Sequence, residues 1–166
     1  AYASTKALGE KAVFSTIPNA VVLRPSIAFG PEDGFFNRFA AMARFSPALP
    51  LIGGGTTRFQ PVYAADIAEA VARSVDGDVA GGQVYELGGP NVLTFKECME
   101  ELLAITERKR LLVPVPWWIA ELQASILGLF PKPLLTTDQV TQLRSHNVVS
   151  DEAVKTGRTF SGLGIQ

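Results

Sequence analysis

The stretch AVVLRPSIAFGP, residues 20–31, decides the fold class of this chain. It opens with a short apolar, β-branched run at residues 20–23 and then turns at Pro25 and Pro31. A continuous apolar run without polar alternation is typical of a strand that is buried on both faces, as in a parallel sheet. We therefore predict a parallel β-strand at this position.

Helical patterns alternate with this strand and with a second one, GGQVYELGGP at residues 81–90, which is closed by glycines. Thr94 and Glu97 have the spacing of a capping box, which marks the start of a helix. Strands that alternate with helices define an α/β class. The patterns predict helices over the opening residues, 35–45, 64–76, from 94 onward, 117 to about 129 and 138–144. Thr136 and Gln139 have capping-box spacing before the last of these helices. The segment RLLVPVP, residues 110–116, is predicted to be extended.

Two short strands do not form a self-sufficient sheet, because their edges and faces need further strands and covering helices. The sequence also begins at Ala1 without methionine and inside a helical pattern that lacks its N-cap. We therefore expect the chain to be the C-terminal part of a longer protein, with further strands upstream.

The composition excludes several classes of function. The net charge is −1 and no basic stripe is present, so the chain lacks the electrostatic footprint of a nucleic-acid-binding protein. No uninterrupted apolar run reaches the ~18 residues that span a bilayer. The single cysteine, Cys98, recurs at helical spacing with Phe95, Met99 and other apolar residues, which predicts a core position. His146 has no histidine or cysteine cluster beside it, so no metal site is predicted.

Tyr2 and Lys6 form a Tyr-x-x-x-Lys pair in YASTK, and their spacing places both on one helical face. A phenol titrates near ~10, so a tyrosine that transfers protons near neutrality needs a shift of about 3 units toward the phenolate. A neighbouring ammonium group stabilises the phenolate directly. A half-buried aromatic ring beside a solvated lysine is the alternative interpretation.

Four segments resemble, in order, the motifs of the short-chain dehydrogenase/reductase superfamily in its extended and atypical members. YASTK resembles the Tyr-x-x-x-Lys motif, and VVLRPSIAFGP resembles the Arg-Pro-x-x-x-x-Gly-Pro segment that follows it. FQPVYAADIAEAV resembles the Val-x-x-x-Asp-Ile/Val-Ala helix start, and YELGGPNVLTFKE resembles the late strand, glycine turn and capped helix. The resemblance implies the C-terminal part of a Rossmann-type doubly wound parallel sheet plus a small, mostly helical substrate-side region.

A narrower resemblance covers nearly the whole chain. FGPEDGFFNRFAAMARFSPALPL, RFQPVY and the ending NVVSDEAVKTGRTFSGLGI are similar to the nucleotide-binding accessory subunits of respiratory complex I, of the alpha-subcomplex subunit 9 type. The same segments are similar to bacterial relatives of the NAD-dependent epimerase/dehydratase and NADH dehydrogenase type.

The superfamily resemblance implies roles for five residues. Tyr2 would be the catalytic acid/base phenol, and Lys6 the cation that lowers its pKa and binds the nicotinamide ribose. Both would contact the cofactor, and Pro25, Ser26 and Ile27 fall where the family's backbone passes the nicotinamide. A strand end turned by proline is the alternative for these three residues.

Three further features have competing interpretations. Arg58 lies near the position where sugar-nucleotide enzymes of the superfamily bind a substrate phosphate, but Asp66 follows eight residues later, one more than in the family pattern. A surface or ion-paired arginine is the alternative, and Asp66 is interpreted as a helix-start residue.

The glycines at residues 53–55 lack dinucleotide-binding spacing and predict a flexible turn. Trp117 and Trp118 predict core packing or, alternatively, a docking or membrane-interface surface.

The resemblance implies an NAD(P)-binding protein of the complex I accessory-subunit type, in which the nucleotide is structural. The alternative is an NAD(P)-dependent sugar-nucleotide epimerase/dehydratase or reductase that uses Tyr2 and Lys6, and a third possibility is an inactive remnant. The choice between NAD and NADP stays open. The predicted domains are residues 1–106, the Rossmann-like part with interleaved substrate-side segments, and residues 107–166, a small helical region.

The resemblance also implies partners and a location. The complete protein would bind a dinucleotide, with respiratory-chain subunits as candidate partners and no nucleic acid, metal or transmembrane segment. Its location would be cytoplasmic or peripheral on the inner-membrane face. The fragment alone is expected to be inactive, to bind no NAD or NADP, and to associate with itself through unpaired sheet edges.

Overall fold

The computed structural model describes the backbone of residues 2–127 and 137–165 and the side chains of residues 4–125 and 140–165. Helices and parallel strands alternate along it, which confirms the α/β class. The helices are α1 (Tyr2–Thr16), α2 (Phe36–Phe45), α3 (Ala64–Asp76), α4 (Phe95–Ile105), α5 (Trp117–Leu127), α6 (Thr137–Gln142) and α7 (Asp151–Lys155). The strands are β1 (Val21–Pro25), β2 (Ala28–Phe29), β3 (Ala48–Ile52), β4 (Arg58–Phe59), β5 (Val62–Tyr63), β6 (Gln83–Leu87), β7 (Leu93–Thr94) and β8 (Leu111–Val115).

The chain divides into two compact units, each built from separate stretches of sequence. Unit 1 comprises residues 1–30, 60–91 and 148–166, and unit 2 comprises residues 31–59 and 92–147. These units do not follow the predicted boundary at residue 106, because unit 2 continues through it. The predicted boundary concerns the domains of the whole protein and stays a prediction.

The framework of unit 1 is the parallel pair β1–β6, in register from Val21 opposite Gln83 to Pro25 opposite Leu87. A shorter parallel pair joins β2 to β5. Leu87 is fully buried and belongs to a core cluster with Ala70, Tyr85 and Leu163. Both strands predicted from the sequence are therefore present, and they lie side by side.

The segment of residues 148–165 packs on β6 and completes unit 1. The Glu86 N–H donates to the Arg158 carbonyl at 2.9 Å, on the side of β6 that faces away from β1. Farther along, the Arg73 guanidinium donates to the Leu163 carbonyl at 3.0 Å. Leu163 is buried in the core cluster. The short helix α7 begins at Ser150, whose hydroxyl accepts from the Ala153 N–H.

Unit 2 is built on a second parallel pair, β3–β8, in register from Ala48 opposite Leu111 to Ile52 opposite Val115. Helix α2 packs against α4. The core contains an aromatic cluster in which the Phe39 and Phe95 rings lie 5.4 Å apart, with Phe35 also within 5.9 Å of Phe95. The predicted capping box of α4 is confirmed, and the buried side chains of α4 are the predicted ones: Phe95, Cys98, Met99, Leu102 and Leu103.

The glycine run of unit 2 forms a short turn of residues 53–55, as predicted, and Gly53 packs against Trp117. Gly53, Gly54 and Gly55 all have positive φ angles, of 62°, 74° and 75°. A Cβ atom on Gly53 would lie 2.0 Å from the Trp117 ring. The Arg144 guanidinium lies 5.2 Å from the centre of the Trp117 ring. Trp117 is therefore a packing residue, whereas Trp118 is 66% exposed.

Two predicted boundaries differ from the structure. Helix α6 runs from Thr137 to Gln142, so it is shorter than the predicted 138–144. The capping-box side chains predicted for it, Thr136 and Gln139, lie outside the described residues. Among the helices that the structure describes, none has both the length and the apolar character needed to cross a membrane.

Candidate functional site

The carboxyl ends of β1 and β6 meet at one edge of unit 1, because the two strands are parallel. The Ser26 N–H extends the pairing past β1 by donating to the Leu87 carbonyl at 2.8 Å. Gly88 and Gly89 follow β6 at the same edge. Ligands of open α/β sheets bind outside the carboxyl ends of the strands. This carboxyl edge, residues 25–27 with residues 88–89, is the candidate site.

Ser26 is buried, and its hydroxyl supports the edge from within. The Ser26 Oγ accepts a hydrogen bond from the Gln60 N–H at 3.2 Å. The neighbouring Ile27 carbonyl accepts from the Val62 N–H at 3.0 Å. These bonds fix the backbone of residues 25–27 beside the start of β5. The Ser26 hydroxyl therefore has a structural partner in the Gln60 N–H.

Gln60 is the residue that sequence reasoning missed at this edge. Its side-chain amide donates to the Gly89 carbonyl at 2.7 Å, and its side-chain oxygen accepts from the Val149 N–H at 3.0 Å. A Cβ atom on Gly89 would lie 1.9 Å from the Pro61 carbonyl oxygen, so this close approach requires glycine. In the sequence, Gln60 is noticeable only as a polar residue directly before Pro61 in an apolar stretch. No known motif includes such a residue, so the sequence did not identify it as part of the site.

Helix α1 is tied to the end of β1 by an ion pair. The Arg24 Nε donates to the Glu10 Oε1 at 2.9 Å, and the second guanidinium nitrogen bonds the other carboxylate oxygen. This hydrogen bonding lowers the pKa of Glu10 and raises the pKa of Arg24. Arg24 also lies 3.9 Å from a Glu86 oxygen on β6. The pair anchors α1 one residue before Pro25.

The predicted catalytic pair lies at the start of α1. Lys6 is exposed and is four residues before Glu10, one helical turn from the Arg24 anchor. The backbone of Tyr2 belongs to α1, but its side chain lies outside the described residues. Unit 1 therefore contains Lys6 and residues 25–27 together. Their roles toward a cofactor stay predictions.

Arg58 belongs to unit 2, where its backbone is held from both sides. The Arg58 N–H donates to His146 Nδ1 at 3.0 Å, and the Arg58 carbonyl accepts from the Asn147 N–H at 2.9 Å. Because Nδ1 is the acceptor, the neutral His146 ring carries its proton on Nε2. Arg58 and His146 are both exposed. The role of Arg58 toward a substrate phosphate stays a prediction, while Asp66 lies in the first turn of α3, as predicted.

Cys98 takes no part in a site. It is buried in α4, and burial raises the pKa of its thiol to about 12. The thiolate is the reactive form of cysteine, so this side chain is a core residue, as predicted. In the part of the chain that the structure describes, no group of histidine, cysteine and carboxylate side chains is arranged to hold a metal ion.

Curated relatives cover most of the chain, although no protein-family model matches it. NADH dehydrogenase (ubiquinone) 1 alpha subcomplex subunit 9, mitochondrial, from Arabidopsis thaliana is 36% identical over 160 residues. That match covers 90% of this chain and 40% of the plant protein. The subunit of the same name from Rattus norvegicus is 33% identical, with 89% of this chain and 40% of the rat protein covered. The chain thus spans about two-fifths of the length of these relatives.

Solved structures show the same fold at low sequence identity. The dTDP-glucose 4,6-dehydratase from Streptomyces venezuelae, with NAD and TYD bound, matches with a TM-score of 0.60 at 20% identity. It covers 97% of this chain and 50% of that structure. The UDP-glucose 4-epimerase from Thermus thermophilus, in complex with NAD, matches with a TM-score of 0.58 at 18% identity over 98% of this chain and 53% of that structure.

The fold defines the class: this is a Rossmann-type α/β fold, as the motifs indicated. Within that class the chain is a homologue of the alpha subcomplex subunit 9 proteins of NADH dehydrogenase (ubiquinone). The resemblance noted in the sequence is confirmed in both respects.

Proposed function

We propose that this chain is part of an NAD(P)-binding protein of the complex I accessory-subunit type, in which the nucleotide is a structural component. The observation that carries the proposal is the 36% identity to an alpha subcomplex subunit 9 protein over 90% of the chain. The fold supports it, because two structures with this fold hold NAD.

The carboxyl edge of unit 1 suits the nicotinamide end of a dinucleotide. It offers residues 25–27, which Gln60 bonds through the Ser26 hydroxyl and Val62 through the Ile27 carbonyl, and α1 brings Lys6 into the same unit. In the proposed complex Tyr2 and Lys6 contact the nicotinamide ribose, and Pro25, Ser26 and Ile27 line the ring.

The pyrophosphate of the dinucleotide needs a different segment. Backbone N–H groups at a glycine-rich turn before a helix are the usual phosphate-binding element. The glycine run of residues 53–55 packs under Trp117 in unit 2, so it does not suit that role. In the proposal, the complete protein supplies the pyrophosphate site outside these 166 residues, and the choice between NAD and NADP is made there.

The relatives also suggest where the protein works. Their names place them in NADH dehydrogenase (ubiquinone) and in mitochondria. We infer respiratory-chain subunits as the partners of this protein and a peripheral position on the inner-membrane face, with the cytoplasm as the alternative location.

The second candidate function is an NAD(P)-dependent epimerase/dehydratase or reductase that acts on a nucleotide-linked sugar. It is supported by the retained Tyr-x-x-x-Lys pair and by the likeness to sugar-nucleotide enzymes in fold. In that function Tyr2 would transfer the proton, Lys6 would stabilise the phenolate, and Arg58 would bind a substrate phosphate.

Nucleotide content and turnover of the full-length protein distinguish the two functions. We expect NAD(H) or NADP(H) to be released when the purified protein is denatured, and we expect chromatography to show no conversion of dTDP- or UDP-sugars. Product analysis is needed because an epimerase or dehydratase returns the hydride to the sugar and leaves no net change in NADH. Lys6→Met should lower nucleotide occupancy, whereas Lys11→Met, on the same helix, should not. A full-length protein that neither contains nor binds a dinucleotide would overturn the proposal.

Turnover with a sugar nucleotide would favour the enzyme. In that case Tyr2→Phe should lower kcat by about 10²–10⁴-fold while nucleotide binding is kept, because only the proton-transfer group is removed. Unchanged turnover in this variant would remove Tyr2 from the mechanism.

A further inference from the structure

One end of unit 2 carries apolar and basic side chains together. Strands β3 and β8 start side by side there, with Ala48 opposite Leu111. Each strand is preceded by the end of a helix: α2 ends at Phe45 and α4 ends at Ile105. The two helices pack against each other, so four element ends converge at the amino edge of the strand pair.

Three large apolar side chains at this edge are highly exposed. The exposed fractions are 89% for Phe45, 81% for Ile105 and 71% for Leu111. Single exposed apolar residues are ordinary on protein surfaces. Here three exposed apolar side chains come from three converging elements. Together they form a surface that a binding partner or a membrane can cover.

Basic side chains lie between these apolar residues. Arg44 directly precedes Phe45, and Arg108 and Lys109 lie in the turn between Ile105 and Leu111. This turn is held against α2 because Arg110 Nε donates to the Ala43 carbonyl at 2.8 Å. We call the set Arg44, Phe45, Ile105, Arg108, Lys109 and Leu111 the amino-edge patch.

The positive charge of the amino-edge patch is available to a ligand. Within the parts of the chain that the structure describes, Arg44, Arg108 and Lys109 form no salt bridge. Glu107 is the acidic residue of the turn, beside three basic ones at residues 108–110. Since the whole chain has a net charge of −1, this is a local concentration of positive charge.

We propose that the amino-edge patch binds the surface of a membrane that contains anionic lipids. Apolar side chains enter the boundary between headgroups and acyl chains, while lysine and arginine beside them attract anionic headgroups. The core of a protein interface is depleted of charged residues other than arginine, whereas here a lysine and two arginines alternate with the apolar groups and none of them is in a salt bridge among the described residues. An anionic lipid surface therefore fits the patch better than a protein does. The inference does not depend on nucleotide binding.

A second exposed apolar surface in unit 2 lacks this charge pattern. On α5, Trp118 and Leu122 lie one turn apart and are both exposed. The charged residue between them is Glu121, and it is paired with Arg144. Among the residues that the structure describes on α5, no excess of positive charge accompanies Trp118 and Leu122, so the amino-edge patch is the one that anionic lipid should select.

The test is co-sedimentation of the full-length protein with vesicles. We expect binding to vesicles of phosphatidylglycerol and phosphatidylcholine, weakening with added salt, and little binding to phosphatidylcholine alone. The double variant Arg108→Gln/Lys109→Gln should lower the partition coefficient roughly 30-fold, because each basic side chain near an anionic surface contributes about 1 kcal/mol. Phe45→Ser should lower it about tenfold through lost apolar burial.

Matched control variants separate the patch from general effects. Lys11→Gln/Lys155→Gln removes the same charge from exposed positions elsewhere, and Val75→Ser removes an 80% exposed apolar residue beside Asp76. Both should bind as the unaltered protein does, and all variants should keep its circular dichroism spectrum. Equal binding by the patch variants and the controls would overturn the proposal. Binding to polyglutamate without binding to vesicles would also overturn it and assign the patch to an acidic protein.

Discussion

The side-chain amide of Gln60 joins segments that are far apart in the sequence. It reaches the glycine turn after β6 through Gly89 and the start of the closing segment through Val149, while its backbone is held by Ser26. A glutamine that is partly buried and uses both ends of its amide is costly to truncate, because its partners lose their hydrogen bonds. The geometry of the carboxyl edge therefore depends on one side chain that belongs to no motif.

Gln60→Ala should lower the free energy of unfolding by about 1–3 kcal/mol, because the Gly89 carbonyl and the Val149 N–H lose their partner. Urea unfolding followed by circular dichroism measures the change. Gln123→Ala, at an exposed position on α5, is the matched control and should stay within about 0.5 kcal/mol of the unaltered protein. Equal stability of the two variants would mean that the Gln60 bonds carry no net free energy.

Cys98 gives a prediction on pH. Burial raises the pKa of this thiol to about 12 from an ordinary value of 9.0. The unfolded chain therefore loses the thiol proton at a lower pH than the folded chain does, so the stabilising contribution is complete below pH 9 and falls as the pH rises toward 12. The alkaline loss of stability should be smaller in Cys98→Ala than in the unaltered protein, relative to each protein's stability at neutral pH.

The same burial protects the thiol from reagents. In the native protein at mildly alkaline pH, a disulfide reagent should label Cys98 only as fast as unfolding exposes the thiol. In urea, where the chain is unfolded, labelling should be rapid. Labelling of the native protein at the rate of a free thiol would contradict the buried position.

Residues whose role follows from local spacing could be predicted from the sequence. Cys98 recurs with other apolar residues at helical intervals, and Thr94 precedes Glu97 by three, so both roles follow from a single helix. Gln60 and His146 could not be predicted, since their partners are the distant Val149 and Arg58. No local pattern encodes a hydrogen bond across 89 or 88 residues.

At the scale of elements, helices were predicted better than strand pairs. The strands β3 and β8 carry Pro50 and Pro114, and an internal proline argues against a central strand because it donates no hydrogen bond. In a pair of strands each member keeps one open side, where a proline is tolerated. The extended character of RLLVPVP was predicted, but its partner was not. Helix α7 was also missed, although Ser150 followed by Asp151 is an N-terminal signal.

Thr94→Ala tests the predicted capping box at the start of α4. The Thr94 hydroxyl accepts from the Glu97 N–H, and the Glu97 carboxylate accepts from the Thr94 N–H at 2.7 Å. We expect a loss of about 1 kcal/mol, seen as a melting temperature lower by roughly 2–4 °C. Ser15→Ala should have little effect, because the Ser15 hydroxyl bonds only carbonyls of its own helix.

The pKa of Glu97 supplies a second readout for that helix start. Hydrogen bonds from the Thr94 backbone and then from its hydroxyl lower this pKa from 4.5. The contribution of Glu97 to stability is therefore present above pH 4.5 and is lost as the pH falls through the folded-state pKa. The difference in stability between the unaltered protein and Glu97→Gln should shrink in acid.

At the scale of the whole molecule, the two sides of the β1–β6 pair differ. On the side of β6 that faces away from β1, the Glu86 N–H donates to the Arg158 carbonyl. On the side of β1 that faces away from β6, the described residues supply no strand. An open strand edge is a template for pairing with another chain. The edge expected to be unpaired is therefore on the β1 side.

We predict that the 166-residue chain, produced alone, associates with itself and binds neither NAD(H) nor NADP(H). Light scattering over a range of concentrations should show a mass above that of the monomer, and calorimetry should show no saturable binding. A clean monomer at high concentration would contradict the association. Micromolar binding would contradict the assignment of the pyrophosphate site to residues outside this chain.

The interleaving of the two units has a consequence for synthesis on the ribosome. All of unit 2 lies before residue 148, whereas the core of unit 1 needs Leu163. Unit 2 can therefore complete its contacts while the ribosome is still adding the segment that closes unit 1, although unit 1 also contains residues 1–30, which are made before unit 2. Until that segment emerges, β6 lacks its Arg158 partner and Leu87 lacks Leu163, so the nascent chain exposes a surface that chaperones recognise.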